Sequence, residues 1–360
     1  MIKTKSSTWG FHHPTKINFV MMKRYLLFIP VVFLGFSAIQ AQNTCTDQLR
    51  LTQRSFDDGL LDDIPQLLSD CMKNGFTKEE KTNAYKLLIQ TYLFSENYQK
   101  ADEVMIKFLS EFPSYSIAAN DPKEFINLHS TYRTKPIFKL DLKAGVTFCS
   151  PTTVENFGVG DIVTNHPTYK SKIGYTFEVN YINFLYKNFD YSIGTSITLT
   201  NIAYANNPYD YTAISGTFKN NYIGLPLALR YNARFKGINF FTKAGIEPQY
   251  LIKSSIELTR TDNIPGKEPI TGIENLISSH RRFEIRPLIA IGAIFKIGKD
   301  QLMFTAGYKF STQSQVNPQE RYSNLTLINK YYFIEDDLLL NQSYISVSYI
   351  RPIYKPKKIR

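Results

Sequence analysis

The sequence predicts an α+β multidomain protein, in which α-helical hairpins over residues 42–135 precede an eight-stranded antiparallel transmembrane β-barrel over residues 136–354. Three observations support this prediction. Apolar residues recur with helical spacing in the first region, and from Pro136 onward they alternate with polar residues. The connections between the alternating segments are short and long in turn, which is typical of outer-membrane barrels. Outside residues 25–38 the chain has no long apolar run, which excludes a bundle of transmembrane helices.

Residues 1–41 are expected to be an over-extended start followed by a secretory signal peptide. A Lys-Arg pair precedes the apolar segment Tyr25–Phe36, and small residues lead to Ala41, after which cleavage is expected. Met21 or Met22 is then the expected start of translation. A transmembrane anchor is the alternative, but the apolar segment is short for a bilayer-spanning helix.

The helical region contains one clear hairpin, which begins where Thr77 and Glu80 predict a capping box. Residues 85–113 resemble a tetratricopeptide repeat, a 34-residue helix–turn–helix pattern. The matching positions include Tyr85, Leu88, Tyr92, Ala101 and Phe108. Residues 45–75 look like a second, degenerate hairpin, and because one repeat cannot bury its apolar face alone, about two stacked hairpins are expected. The resemblance implies a helical domain that binds another protein.

A disulfide between Cys45 and Cys71 is predicted inside the degenerate hairpin. The two residues are equidistant from residue 58, the middle of the expected turn, so an antiparallel hairpin places them opposite each other. Export favours oxidation, and the alternative is a pair of buried free thiols. Cys149 would remain a free, buried thiol. No metal or other cofactor is expected, because Cys and His do not occur at ligand spacing.

Eight segments of the second region alternate apolar and polar residues. They lie at about 138–148, 172–183, 189–203, 211–233, 238–258, 282–297, 301–313 and 339–353. Three connections are tight, namely Asn183–Asn188, Ala233–Gly237 and Gly298–Asp300, and the longer ones are near 150–171, 204–210, 259–281 and 314–338. If the helical domain is periplasmic, the tight turns are periplasmic and the longer loops are extracellular.

One face of these segments is apolar and the other carries charges of both signs. A paired charge network that fills the lumen is predicted from Lys139, Asp141, Lys143, Glu178, Arg230, Lys243, Glu247, Glu284 and Arg286. The same face is expected to carry Asp190, Lys309 and Arg351. Glu247 and Arg286, on adjacent strands, are expected to meet across the ladder. A soluble β-sandwich or lipocalin-like barrel is the alternative, but it would bury its apolar face inward.

Two stretches of the barrel region resemble a known family. Residues 221–231 (NYIGLPLALRY) look like a characteristic strand of PorT-type outer-membrane barrels of the Bacteroidota, and residues 241–250 (FTKAGIEPQY) are similar to the strand that follows it. The resemblance covers roughly residues 136–354. It implies an outer-membrane barrel with an accessory role in type IX secretion, gliding or surface-complex assembly. The last strand departs from the family, because it continues into Pro352 and a basic tail.

The net charge of +11 comes mainly from the two ends of the chain. Ten of the excess positive charges lie in residues 1–24 and 351–360, so residues 42–350 are nearly neutral. A nucleic-acid-binding surface is therefore not expected. The basic tail, residues 355–360, either contacts anionic lipid headgroups at the periplasmic leaflet or is a disordered end.

Two polar clusters of the predicted loops are candidate sites. Ser278-Ser279-His280 with Glu274 has the residue types of a hydrolase, but neighbouring residues of a strand point to opposite faces, so a solvated loop is favoured. Glu335-Asp336-Asp337 has ligands for Ca²⁺, but three consecutive acids do not form a cage, and a solvated loop is again favoured.

The predicted function is a non-enzymatic outer-membrane anchor. Its barrel presents a periplasmic helical domain that binds a periplasmic or outer-membrane protein, and it contacts outer-membrane lipid. The alternatives are an enzyme that modifies outer-membrane lipid and a passive structural barrel.

Overall fold

The computed structural model describes residues 44–159 and 166–359. The predicted signal peptide lies outside the described residues. The chain divides into two compact units, of which the second spans Thr134–Lys355. The first unit comprises the residues before Thr134 together with the tail from Pro356 onward. Within the described residues, no helix combines the length and apolar character needed to cross a bilayer.

The described part of the first unit contains five helices. They are α1 (44–57), α2 (Ile64–Lys73), α3 (Lys78–Phe94), α4 (Tyr98–Glu111) and α5 (Lys123–Ser130). The predicted disulfide is present, since Cys45 of α1 and Cys71 of α2 are bonded with their Cα atoms 5.6 Å apart. It closes the first hairpin.

The predicted capping box begins α3. The Thr77 side chain accepts a hydrogen bond from the Glu80 backbone N–H (3.2 Å), and the Glu80 carboxylate accepts one from the Thr77 N–H (2.8 Å). These two bonds satisfy backbone donors that the first helical turn leaves without intrahelical partners. Asn97 caps α4 by accepting a hydrogen bond from the Lys100 N–H (3.2 Å).

The basic tail is ordered and belongs to the first unit, which contradicts one of the two alternatives for it, the disordered end. Ile359 N–H donates to the Thr131 carbonyl (2.8 Å), and Arg133 N–H donates to the Lys357 carbonyl (3.0 Å). Lys358 forms an ion pair with Asp102 (2.6 Å). Backbone pairing of this kind was not visible in the sequence, because it joins residues more than 200 positions apart.

The second unit is an antiparallel sheet of ten strands. They are β1 (Phe138–Glu155), β2 (Thr168–Tyr186), β3 (Phe189–Tyr209), β4 (Thr212–Gly224), β5 (Leu227–Phe235), β6 (Ile238–Asp262), β7 (Ile270–Asn275), β8 (Phe283–Ile297), β9 (Asp300–Lys309) and β10 (Asp337–Ile353). Because β4 and β5 both pair with β3 and β6, they occupy one strand position. The pairings run β1–β2–β3–β4/β5–β6–β8–β9–β10 and return from β10 to β1.

The interruption between β4 and β5 is caused by Pro226, which has no backbone N–H to donate to a ladder. The neighbouring strands satisfy the groups around it. Leu225 N–H donates to the Pro248 carbonyl (2.9 Å), and the Pro226 carbonyl accepts from Gly194 N–H (3.1 Å). The strand β7 is an addition that pairs only with the distal part of β6 among the described strands.

Three two-residue turns lie at one edge of the sheet, called the turn side here. They are residues 187–188, 236–237 and 298–299, and each contains a residue with positive φ. Such turns match the twist of paired antiparallel strands. The opposite edge, the loop side, carries the connections 156–167, 210–211, 263–282 and 310–336.

The predicted long loop at 204–210 is wrong, because β3 continues to Tyr209 and only two residues connect it to β4. This part of the hairpin has small or polar residues on its outward positions, such as Ala203, Ala205 and Thr217. Hydrophobic alternation therefore does not mark it as a strand, although the backbone pairing is continuous.

Candidate functional site: the two faces of the sheet

The outer face of the sheet exposes large apolar side chains at all eight strand positions. Ile289 and Ile291 of β8 are 52% and 63% exposed, and the other strands behave alike. Representative residues are Leu142, Phe177, Ile197, Leu229, Ile246, Phe304 and Ile345. Soluble monomers rarely expose contiguous apolar patches of more than a few hundred Å². The outer face thus has the character of a surface that is covered by an apolar medium.

The inner face is buried and charged. Lys143 and Glu178 form an ion pair at 2.5 Å, and both side chains are 2% exposed. Arg230 pairs with Asp190 at 2.5 Å, and Lys139 lies 3.9 Å from the same carboxylate. Burial of charges requires such compensation, because removing an ion from water costs several kcal/mol.

The predicted contact between Glu247 and Arg286 is wrong, although the two residues are register partners. Arg286 pairs with Glu284 of its own strand (2.7 Å), since residues two apart on a strand share a face. Glu247 pairs with Lys309 of β9 at 2.6 Å and accepts a hydrogen bond from Ser196 of β3 (2.6 Å). Side chains from strands that are not adjacent therefore contact each other on the inner face of the sheet.

Three residues of the predicted charged face do not form the expected pairs. Within the described residues, Lys243 has no ion pair, and Asp141 receives only a hydrogen bond, from Asn180 (3.1 Å). Arg351 is exposed and pairs in register with the outward Leu140, so it lies on the outer face. The alternation of β10 itself places Arg351 there, because Tyr349 is also exposed and Ile350 between them is buried.

The loop-side end of the inner face is closed by apolar residues. Leu327 and Tyr331 of α6 (Leu325–Tyr331), together with Phe333, pack against Phe218 and Ile256 of the sheet. The connection 310–336 also contains a short 3₁₀-helix, Pro318–Glu320. Cys149 belongs to the same cluster and is a free, buried thiol.

The two clusters expected in solvated loops are largely buried instead: Ser279, His280, Glu335 and Asp336 are buried, whereas Ser278 is exposed. The His280 ring bonds to the Glu335 carboxylate through Nε2 (2.7 Å), and its Nδ1 lies 2.8 Å from Ser254 Oγ and 2.6 Å from Gln315 Nε2. His280 is 3% exposed and Glu335 6%. Both are covered because the connection 310–336 folds over this end of the sheet. Sequence reasoning missed Ser254, Gln315 and the partnership with Glu335, since no local pattern joins residues so far apart.

Asp336 holds the same connection in place. Its carboxylate accepts hydrogen bonds from the Phe157 N–H (2.6 Å) and the Tyr169 hydroxyl (2.8 Å). Burial raises the pKa of Asp336 above its usual value, against the effect of these two donors. Within the described residues, no group of three or more His, Cys, Asp or Glu side chains is arranged to hold a metal ion.

The five tetratricopeptide-like residues pack inside the first unit. Ala101 and Phe108 are fully buried, Tyr85 and Leu88 nearly so, and only Tyr92 is half-buried. They build the core of the unit rather than a surface for a partner. The three most exposed large apolar residues of the helical segments lie at the ends of the hairpins: Leu60 in the α1–α2 turn, Phe94 at the end of α3 and Tyr98 at the start of α4. We call these three residues the hairpin-end patch.

Two titratable groups of the first unit have shifted pKa values. Burial lowers the pKa of His129, and the nearby Asp121 opposes this effect. Burial acts to raise the pKa of Asp121, but hydrogen bonds from Lys86, Tyr115 and the Ala118 N–H hold it below its usual value. His129 Nε2 is buried without a hydrogen-bond partner among the described residues.

No protein-family model and no curated protein matches the chain. Among solved structures, the chain is similar to Neisserial surface protein A (10% identity, 60% of this chain and 97% of that chain, TM-score 0.30). It is similar to the outer membrane protein OprG from Pseudomonas aeruginosa (7% identity, 60% and 97%, TM-score 0.32) and to Ail of Yersinia pestis (11%, 59% and 98%, TM-score 0.29). At TM-scores this low the similarity supports no inference by itself, so the functional interpretation depends on the two faces of the sheet.

Proposed function

We propose that this protein is an outer-membrane β-barrel that anchors a periplasmic, protein-binding helical unit. One observation carries the proposal: large apolar residues are exposed on the outer face at all eight positions of the cycle of pairings, and the inner face is buried and carries charged residues at every described strand position except that of β10. A soluble barrel has the opposite arrangement. Within the apolar band, the cycle gives each described strand a hydrogen-bonded neighbour on both sides, which is required of strands in a bilayer.

The orientation follows from the two edges of the sheet. Outer-membrane barrels have short periplasmic turns and longer extracellular loops. Strand β1 begins and strand β10 ends at the turn side, as the pair Phe138–Ile353 shows. The connections to the helical unit therefore leave from the edge that carries the short turns, which favours a periplasmic location for that unit.

The inner face supports the role of an anchor rather than a pore. An eight-stranded barrel has an interior that side chains can fill. Here paired charges occupy the middle and the cluster around α6 occupies the loop-side end. No water-filled path is needed for a protein whose role is to hold another one.

The hairpin-end patch is the proposed contact surface for the partner of the helical unit. Leu60 and Tyr98 are 63% and 62% exposed, which is unusual for large apolar side chains of a small helical unit. The resemblance of the barrel to PorT-type proteins suggests an accessory role in type IX secretion, gliding or surface-complex assembly. That step is an analogy between folds.

The location is tested by fractionation and by electrophoresis. The mature chain is expected to fractionate with outer membranes and to migrate faster in unboiled than in boiled samples, because closed barrels resist detergent until heated. Recovery in the soluble periplasm would contradict the barrel. For the helical unit, a photo-crosslinking residue at position 98 should capture a protein in intact envelopes, and one at the buried position 101 should not.

A lipid-modifying enzyme is a second candidate, because Ser254, His280 and Glu335 form a hydrogen-bonded chain of the kind used in hydrolases. Two features oppose it. Ser254 Oγ also bonds to Asn220 Oδ1 (2.7 Å), and Ser254 is only 1% exposed. A fluorophosphonate probe is therefore expected to leave the protein unlabelled. Labelling that is lost in Ser254→Ala would favour the enzyme.

A further inference from the structure

The loop-side edge of the apolar outer face carries a row of exposed cations. Lys172 lies on β2, Lys219 on β4 and Lys253 on β6, and Arg282 directly precedes β8. All four residues are exposed. We call them the cationic row.

The strand register places these residues side by side. Lys172 is paired with Asn201 of β3, and Asn201 is paired with Lys219, so the two lysines flank one residue in the same cross-strand row. Lys219 pairs with Ser255, two residues from Lys253. At the next position, Leu251 N–H donates to the Arg282 carbonyl (2.7 Å), which joins the row to the start of β8.

The row marks the upper limit of the apolar band. The residues next to its members on the turn side are large and apolar: Ile173, Ile252 and Phe283 are 54%, 55% and 55% exposed. Beyond the row, the outer positions of β3 and β4 are small or polar, such as Ala203 and Ser215. In a membrane-spanning barrel, the row therefore lies at the depth of the lipid headgroups.

The positive charge of the row is only partly neutralised. Glu257 pairs with Lys219 (2.9 Å), and the Lys172 ammonium donates to the Thr217 hydroxyl (2.8 Å). Among the described residues, Lys253 has no hydrogen bond or ion pair from its side chain, and neither does Arg282. Asn201 Nδ2 also donates to the Ile173 carbonyl (2.9 Å), which supports the backbone at the register shift after Lys172.

We propose that the cationic row binds the phosphate groups of an anionic lipid in the leaflet on the loop side. The ligand is a lipid rather than a soluble anion, because the row is continuous with the apolar band that would contact the acyl chains. Each lysine near an anionic membrane surface strengthens binding several-fold, at about 1 kcal/mol per residue. The proposal rests on the proposed function, since it requires the apolar band to lie in a bilayer.

The test uses the full mature chain in neutral detergent, titrated with monophosphorylated lipid A and with the same lipid after chemical removal of its phosphate. Native mass spectrometry counts the bound lipid. The row variant is Lys172→Gln/Lys219→Gln/Lys253→Gln. The matched control removes three exposed lysines of the helical unit, Lys78→Gln/Lys107→Gln/Lys123→Gln, so that net charge changes equally.

The wild type and the control are expected to bind the phosphorylated lipid alike, and the row variant roughly tenfold more weakly or worse. All three should bind the dephosphorylated lipid equally. Lys253→Gln alone removes no hydrogen bond or ion pair between described residues, and it should weaken binding roughly fivefold. This variant provides the test if the triple variant does not fold.

Equal binding of the phosphorylated lipid by the row variant and the wild type would overturn the inference, as would a wild type without preference for phosphate. In both cases the wild type would still insert into neutral phosphatidylcholine vesicles and show heat-modifiable migration. A wild type that fails to insert would overturn the proposed function and the inference together.

Discussion

The buried ion pair between Glu247 and Lys309 gives the sharpest prediction about the inner face. The carboxylate and the ammonium are 2.6 Å apart, and the side chains are 0% and 1% exposed. Replacing Lys309 by Met leaves Glu247 buried with hydrogen bonds from Ser196 and Gln249 but without its nearest cation. Stranding a buried charge in this way costs about 3–5 kcal/mol.

The double variant Glu247→Gln/Lys309→Met should be much less harmful than either charge-stranding change, because it removes both charges. The assay is urea unfolding in detergent micelles. The folded fraction at each urea concentration is measured from the folded and unfolded bands on unboiled gels. A double-mutant cycle should give a coupling energy of about 2 kcal/mol or more.

An exposed pair of the same residue types is the control. Lys219 and Glu257 are 2.9 Å apart, but their side chains are 51% and 54% exposed. A cycle of Lys219→Met and Glu257→Gln should give a coupling energy of about 0–1 kcal/mol. Equal coupling energies for the two pairs, or additive effects at Glu247 and Lys309, would refute the assignment of these charges to a dry interior.

Three further outcomes are expected. Burial lowers the pKa of His129, so the unfolded chain binds a proton more readily than the folded chain. The contribution of His129 to the free energy of unfolding is therefore fully present above about pH 6.5 and is lost as the pH falls below that value. Deuterium uptake of α5 peptides, corrected for intrinsic rates, should rise from pH 7.5 to 5.5, and His129→Phe should flatten this rise; an unchanged slope would exclude the mechanism. Non-reducing peptide mapping should link Cys45 to Cys71 and leave Cys149 free, whereas a link to Cys149 would contradict the hairpin. Planar bilayers containing the protein should show no steady conductance, and persistent ion flow would reopen a transport role.

The strands inside the apolar band could be predicted from the sequence, because one face there is consistently apolar. Residues 138–143 and 173–181 illustrate this, since the alternation alone places each side chain on the correct face. The disulfide was predictable for a similar reason, as the symmetry of Cys45 and Cys71 about one turn is a local property. Local structure could therefore be predicted from the sequence wherever a single periodicity of apolar residues extends along the chain.

Side-chain contacts between residues far apart in the sequence could not be predicted. Lys309 was placed on the charged face, but its pairing with Glu247 depends on the width of the interior, which no strand pattern specifies. His280 was expected in solvent, yet Glu335 and Gln315 cover it because a connection of 27 residues folds inward. The packing of the tail was not predictable either, since Lys358 pairs with Asp102, which is 256 residues earlier in the chain. Each of these contacts is decided by tertiary packing rather than by residue spacing.

The central claim is that the apolar outer face contacts lipid. The most direct test places a single fluorescent label, through an introduced cysteine, at positions 289, 290 and 291 of β8, with Cys149 replaced by Ser and the protein reconstituted in vesicles that contain doxyl-labelled lipid. Ile289 and Ile291 are outward and exposed, whereas Ala290 is 5% exposed on the inner face. Strong quenching at 289 and 291, with position 290 unquenched or inaccessible to the label, is the predicted result. Uniform quenching along the strand, or none at 289 and 291, would contradict the account.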